Sequence, residues 1–390
     1  MKIRAIATAA AGCLLILAGG AAAQEVRGVT ATEIRLGTQD DLSGPIVSWG
    51  QPMRNGKILA VEEQNARGGV NGRKLVLIGE DNGYDPKKGV LAAQKLIEQD
   101  RVFAMVGVLG TAIAMATMPI ALDAGVPFMY PGSNSSAMYE PFDRLKFSMA
   151  APYGHQMSIA VQYMVEKMGR KKIAVLYQDD EFGAEIRDAA EAQARAMGVP
   201  VVAMTSYKRG DTSFSSQVAR MRQAGADLIV AGTVVRETAG LGLELKKVGW
   251  TVDVLASATA CTAAVPAIGK DAVEGFYVQC QYLPFDSATE SDQVKAWMAR
   301  YQERFGKPAD VSSAIGYDMM ELVILGLQRA GRDLTLDKFI AASETIKGWQ
   351  NLFGSPPLSF GPDRRLGTMA FVLTRINGGK FMRVTGTLGE

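Results

Sequence analysis

Short apolar runs and amphipathic segments alternate along this chain, and one order of elements occurs twice. Apolar runs of strand length lie at residues 34–37, 74–79 and 103–107, and again at 172–177, 199–205 and 228–231. Segments with helical spacing of apolar residues, or loops followed by such segments, separate them. This alternation predicts parallel sheets with helical crossovers. Two such units predict an α/β chain with two lobes and a cleft between them, where a small ligand usually binds.

Further helical patterns follow the second unit, at residues 292–305, 312–330 and 336–346. The chain then ends in two apolar runs around Asn377-Gly378-Gly379, which predict a β-hairpin. A block of helices after the second lobe indicates that the chain returns to the first. We therefore predict that residues 24–150 plus about 284–350 form lobe 1, and 151–283 plus about 351–390 form lobe 2. Several strands crossing between the lobes would form a hinge.

The first residues have the pattern of a secretory leader. Lys2 and Arg4 precede an almost wholly apolar stretch, and Ala21-Ala22-Ala23 offers a small-residue cleavage site. An uncleaved membrane anchor is the alternative, but the stretch is shorter than the roughly 20 residues that span a bilayer. We expect residues 1–23 to be a signal peptide cleaved near Ala23, and the mature chain to be a periplasmic protein.

The charge balance bears on whether the chain binds nucleic acid, and the cysteine content bears on whether it has a disulfide. The chain has 42 Lys plus Arg and 40 Asp plus Glu, and loss of Lys2 and Arg4 with the leader balances them. A neutral chain is a poor nucleic-acid binder, since phosphate backbones need a concentrated basic surface. Cys261 and Cys280 remain after cleavage. Export permits a disulfide between them, and two buried free thiols are the alternative.

Motifs for catalysis are scarce. His155 is the single histidine, which excludes a multi-histidine metal site and weakens any histidine-dependent triad. The sequence has no Walker loop, no nucleophile elbow and no Gly-x-Gly-x-x-Gly after a strand. We expect no enzyme, no catalytic residue, no metal and no cofactor.

Two loops at predicted strand ends offer groups that bind a carboxylate. Gly110-Thr111-Ala112 follows the third strand and begins a helix, and Gly132-Ser133-Asn134 follows the fourth. Backbone N–H groups and small hydroxyls at the carboxyl edge of a parallel sheet favour an anion. Such residues also serve as ordinary turns and caps. The two loops together, with the aromatic Trp49 nearby, favour a binding site.

Several segments together resemble one known family. Ser43-Gly44-Pro45 with Ser48-Trp49-Gly50, the run from Asn65 to Leu75, Asp85-Pro86, Lys172–Leu176 and Phe182-Gly183 are similar to the leucine/isoleucine/valine-binding proteins of ABC importers. The likeness covers essentially the whole mature chain. It implies a type I periplasmic binding fold, with two Rossmann-like parallel-sheet lobes joined by a multi-strand hinge. It also implies a monomer that closes on a small ligand and delivers it to an inner-membrane permease.

The resemblance also places a ligand site. Its first-lobe positions fall on Trp49, Thr111, Ala112, Gly132, Ser133 and Asn134, and its second-lobe positions on Phe182, Val234 and Ala258. The loops after the third and fourth strands would hold the ligand's carboxylate. Phe182 keeps the ring of the family's tyrosine and loses its hydroxyl.

Ala258 is the difference from the family pattern that has the largest consequence for the choice of ligand. The family has a glutamate there to pair with the ligand's ammonium, and a buried ammonium without a counter-charge is costly. Glu237 or Asp180 could replace that glutamate, and Arg236 would favour a second anionic group. The missing acid favours a non-amino aromatic or aliphatic acid, whereas the family favours an amino acid. A periplasmic sensor subunit is the alternative function, and a periplasmic enzyme is less favoured.

Overall fold

The structure is a computed structural model that describes residues 26–286 and 288–390. The predicted leader, residues 1–23, lies outside the described residues. Within the described part of the chain, no helix combines the length and apolar character needed to cross a membrane.

Five parallel strands form the sheet of the first lobe, in the order β2-β1-β3-β4-β5. The strands are β1 (Glu33–Asp40), β2 (Lys74–Asp81), β3 (Ala104–Val106), β4 (Phe128–Met129) and β5 (Lys146–Phe147). The connecting helices are α1 (Val47–Ala66), α2 (Pro86–Gln94) and α3 (Thr111–Asp123). Strand order reverses between β1 and β3, so the loops after these strands diverge and leave a crevice at their carboxyl ends.

The second lobe repeats this order and then extends it. Strands β6 to β10 are parallel, in the order β7-β6-β8-β9-β10, and the predicted hairpin β11–β12 continues the sheet antiparallel to β10. The strands are β6 (Ile173–Gln178), β7 (Val201–Tyr207), β8 (Leu228–Gly232), β9 (Asp253–Ala256), β10 (Tyr277–Cys280), β11 (Phe371–Asn377) and β12 (Lys380–Leu388). The helices are α4 (Tyr153–Glu166), α5 (Glu181–Ala196), α6 (Ser215–Gln223), α7 (Val235–Lys247) and α8 (Ala264–Gly269).

The last three helices pack on the first lobe. They are α9 (Asp292–Phe305), α10 (Val311–Ala330) and α11 (Leu336–Glu344), and α9 and α10 pack against α1. Gly56 and Gly316 allow α1 and α10 to approach closely. A Cβ on Gly56 would lie 1.9 Å from the carbonyl oxygen of Ser313, and one on Gly316 2.0 Å from that of Met53.

The start of the first helix affects the site. This helix, α1, begins at Val47, inside a glycine- and proline-rich segment, and contains Pro52. Pro52 is the sixth residue of this helix, so it has no N–H to donate to the Ser48 carbonyl, and the helix continues past this missing bond. Trp49 therefore lies on the first turn of α1 and not in a loop.

The chain crosses between the lobes three times: between Phe147 and Tyr153, between Cys280 and Asp292, and between Glu344 and Phe371. The predicted boundary near residue 350 stays a prediction. Phe360 lies 5.5 Å from the Tyr130 ring and 5.6 Å from the Phe147 ring, both in lobe 1. These contacts favour a third crossing that lies closer to β11.

Candidate functional site

A cavity of about 860 Å³, including the part open to solvent, lies between the two lobes. Its walls come from the strand-end loops of lobe 1, the loops of lobe 2 and the crossing segments. The lining residues are Ile46, Trp49, Met53, Tyr84, Leu109, Gly110, Thr111, Pro131, Gly132, Asn134, Met149, Ala150, Tyr153, Phe182, Val234, Ala258, Thr259, Cys261, Gln281, Tyr282, Val311, Ile315 and Met319.

The structure brings seven of the nine predicted site residues to this cavity. Those seven are Trp49, Thr111, Gly132, Asn134, Phe182, Val234 and Ala258. Ala112 and Ser133 are not among the lining residues, and both are buried. Ser133 lies behind the wall, and its hydroxyl is 2.8 Å from the Thr111 hydroxyl.

The first-lobe wall contains a cluster of hydroxyl groups at the start of α3. Thr111 is the first residue of this helix, and the backbone N–H groups of a first helical turn have no acceptor within the helix. Tyr153, the first residue of α4 in lobe 2, also lines the cavity, and its backbone N–H donates to the Asn134 carbonyl at 2.8 Å. Burial raises the pKa of Tyr153 to about 12, so its phenol stays neutral. This corner suits a carboxylate without needing a cation.

The second-lobe wall is apolar where it faces this cluster. The Phe182 ring is buried and meets the Tyr153 ring edge-on, with centroids 5.1 Å apart. Val234 precedes α7, and Ala258 begins a short turn after β9. Among the described residues that line the cavity, none carries a charged side chain.

Neither acid that could replace the family's glutamate lines the cavity. Asp180 caps α5 by accepting from the Gly183 backbone, and it pairs with Arg209 at 3.0 Å. Glu237 is 1 % exposed, and neither of its carboxylate oxygens accepts a hydrogen bond from another described residue. Burial raises the pKa of Glu237. Arg236 is exposed to solvent and does not line the cavity either.

Several lining residues have no local signal in the sequence. Tyr282 belongs to the second crossing, and Met319 to a helix that returns from the other lobe. The Tyr282 hydroxyl donates to Asp318 at 2.7 Å, which turns it away from the cavity and leaves its ring as a wall. Tyr84 follows β2 at the same sheet edge as the predicted loops, and that position alone could have identified it.

Two features fix the second-lobe turn that carries Ala258. Cys261 and Cys280 form a disulfide, with Cα atoms 5.6 Å apart, so the pairing that the sequence left open is made. From the opposite lobe, Trp49 Nε1 donates to the Thr259 carbonyl at 3.1 Å. An indole of lobe 1 thus bonds to a backbone carbonyl of lobe 2 across the cleft.

Two α/β lobes with a cavity between them are the architecture of a two-lobed binding protein. Residues 33–380 match the family described as periplasmic binding protein, and the chain belongs to that family. An "amino acid binding protein" of Pseudomonas aeruginosa is 28% identical over 65% of this chain and 69% of its own length. "Leu/Ile/Val-binding protein homolog 3" of Brucella melitensis is 26% identical over 77% of this chain and 80% of its own.

Solved structures confirm the type I periplasmic binding fold. A branched-chain amino acid ABC transporter protein of Thermus thermophilus with bound valine superposes with a TM-score of 0.84 at 18% identity, covering 92% of this chain and 97% of that one. A fatty acid ABC transporter substrate-binding protein of Thermomonospora curvata gives 0.83 at 23%, over 94% and 95%. A solute-binding protein of R. palustris in complex with benzoate gives 0.80 at 18%, over 92% and 98%. The fold therefore accommodates ligands with and without an ammonium group.

Proposed function

We propose that this protein is the exported solute-binding subunit of an ABC importer of the branched-chain amino-acid type. It captures a small carboxylate by hinge closure and delivers it, as a monomer, to an inner-membrane permease. Its family membership supports the binding role. The three crossings between the lobes supply the hinge that such closure requires.

We propose further that the ligand is a non-amino carboxylic acid with an aromatic or aliphatic body. The observation that carries this is the absence of a charged side chain among the described residues that line the cavity. A carboxylate can be bound by helix N–H groups and hydroxyls, which the first-lobe wall offers. An ammonium enclosed in the same cavity would lack a counter-charge, at a cost of several kcal/mol. An apolar body fits the floor formed by Met53, Ile315 and Met319.

Matched ligand pairs that differ by the ammonium group test this proposal. We expect 3-phenylpropanoate and 4-methylpentanoate to raise the melting temperature in a thermal-shift assay. Phenylalanine and leucine, which have the same skeletons plus an ammonium, should not. Isothermal titration would then give the dissociation constants. A protein that responds to the amino acids alone would show that the ligand class is wrong. Ligand recovered chemically unchanged after incubation would support binding without turnover.

A further inference from the structure

Tyr84 belongs to lobe 1 but is held by lobe 2. It lies in the turn after β2, in the left-handed region with φ of 56°, and its backbone N–H donates to the Asn82 side chain at 2.9 Å. Asn82 in turn donates to the Leu109 carbonyl at 3.1 Å, so the turn is fixed to the loop after β3. The Tyr84 ring is 6 % exposed, and it lines the cavity beside Gly110.

Two second-lobe side chains contact this tyrosine, and a third holds both of them in place. Gln178 Nε2 donates to the Tyr84 hydroxyl at 3.0 Å, and Arg209 Nη1 donates to its carbonyl oxygen at 3.3 Å. The Arg209 guanidinium also lies 5.6 Å from the centre of the ring. One oxygen of Asp180 accepts from Gln178 at 2.6 Å and from Arg209 at 3.0 Å, which fixes both donors relative to each other.

The orientation of the Gln178 amide is determined by a fourth contact. Tyr207 donates its hydroxyl to Gln178 Oε1 at 3.3 Å, so the amide nitrogen faces Asp180 and Tyr84. The contacts that orient these groups all lie within the second lobe and do not involve Tyr84. Among the described residues, Gln178, Asp180 and Arg209 do not line the cavity, whereas Tyr84 does.

We propose that Tyr84 closes the ligand in, and that the clamp formed by Gln178, Asp180 and Arg209 sets the rate of ligand release. The clamp contacts span the two lobes, so they are made when the cleft is shut and are lost when it opens. They stabilise the closed form with any ligand, because the three clamp residues do not line the cavity. This inference rests on the proposed function for hinge closure, and does not depend on which carboxylate binds.

The test measures ligand dissociation and association by stopped flow, with the fluorescence of Trp49 at the cavity wall as reporter. The variants are Tyr84→Phe, which removes the hydroxyl and keeps the ring, and Arg209→Met, which removes the guanidinium. Arg187→Met is the matched control. Arg187 also lies over a tyrosine ring, that of Tyr177 at 5.0 Å, and pairs with Asp188, but all three residues belong to lobe 2.

Both clamp variants should release ligand about tenfold faster, which corresponds to the loss of one hydrogen bond across the cleft. Association should stay within twofold, because the open form is intact, and the control should match the wild type. The acceleration should be equal for 3-phenylpropanoate and 4-methylpentanoate. If the ligand panel identifies amino acids instead, phenylalanine and leucine serve as the pair, so failure of the ligand proposal leaves this test intact.

Dissociation within twofold of the wild type in either clamp variant would overturn the proposal. The proposal would also be overturned if the increase in dissociation rate differed more than threefold between the two ligands. Tyr84 would then recognise the ligand itself and would not act by stabilising the closed state.

Discussion

The two walls of the cavity differ in what they offer a ligand. The first-lobe wall has the helix N-terminus at Thr111 and the backbone at Gly132, and Tyr153 adjoins it from the start of α4 in lobe 2. The second-lobe wall opposite it presents Phe182, Val234 and Ala258, which have no polar side-chain atom. Both lobes are built on the same strand order, so the difference lies in the loops and not in the fold.

This difference separates recognition from closure. The polar wall fixes one end of a ligand, and the apolar wall excludes water from the rest. Lobe 2 contacts lobe 1 through the Thr259 carbonyl at the cavity and through polar groups beyond it, such as Gln178 and Arg209 on Tyr84. A ligand without an ammonium loses nothing at such an apolar wall, because it brings no charge that the wall must satisfy.

Placing an acid in the apolar wall should have the largest effect. Ala258→Glu would bring a second carboxylate into the cavity, and like charges in a closed site repel by several kcal/mol. We expect the dissociation constant for 3-phenylpropanoate, measured by titration calorimetry, to rise about 100-fold or more. Phenylalanine should gain affinity in the same variant, since its ammonium would acquire a partner.

Ala258→Gln is the control, because glutamine has the size of glutamate without its charge. It should weaken 3-phenylpropanoate only slightly. If both variants lost the same affinity for 3-phenylpropanoate, the size of the side chain at position 258 would determine binding, and its charge would not. The contrast between the two walls would then not be electrostatic.

Substitutions in the polar first-lobe wall should weaken ligand binding less than Ala258→Glu does. The loss should be larger for a residue that lines the cavity than for one behind it. Thr111→Val keeps the shape and removes a hydrogen bond to a charged group, which is worth about 1.5–3 kcal/mol, or about 10- to 100-fold in affinity. Ser133→Ala should cost less, because Ser133 does not line the cavity and acts through the Thr111 hydroxyl. The double variant should cost less than the two losses combined, as expected for contacting groups.

Thr117→Val is the matched control on the same helix, since the Thr117 hydroxyl donates to the Ile113 carbonyl at 2.9 Å within α3. Its ligand affinity should equal that of the wild type. A loss at Ser133 as large as that at Thr111 would place Ser133 in direct contact with ligand.

The sequence predicts most of the fold because each element carries a local signal. Asp85 and Pro86 predict the start of α2, and the structure confirms it with a hydrogen bond from the Lys87 backbone to Asp85. The return of the last helices to lobe 1 follows from the order of elements. The start of α1 at Val47 could not be predicted, because Gly44, Pro45, Gly50 and Pro52 surround it and such residues usually mark a turn.

The sequence predicts those site residues that follow strands, and it misses those that distant segments bring to the cavity. Thr111 and Asn134 follow strands, and strand ends of a parallel sheet meet at one edge. Tyr282 and Met319 reach the cavity through a crossing segment and through a helix from a distant part of the chain. Their positions depend on how the lobes dock, which no local pattern encodes. Ser133 has the composition of a contact residue but lies behind the wall.

Buried carboxyl groups extend the contrast between the lobes to stability. In lobe 1, Asp40 is paired with Lys57 at 2.8 Å, and Asp318 accepts from Tyr282. In lobe 2, Glu237 is buried and its oxygens accept no hydrogen bond from another described residue. Burial raises the pKa of Glu237 above its usual value of 4.5. A carboxyl with a raised folded-state pKa stabilises the fold below its unfolded pKa, and that contribution is lost as the pH rises through the folded value.

Glu237→Gln should therefore stabilise the protein at high pH, by on the order of 1 kcal/mol, because the amide never ionises. The gain in melting temperature over the wild type should be smallest near pH 4.5, and should grow as the pH rises through the raised pKa of Glu237 towards pH 8. Glu244→Gln on the same helix is the control, since Glu244 pairs with Lys247 at 3.1 Å, and it should show no such gain. A Glu237→Gln variant less stable than the wild type at pH 8 would mean that this carboxylate has a partner in solution. The second lobe would then satisfy its buried acids as completely as the first.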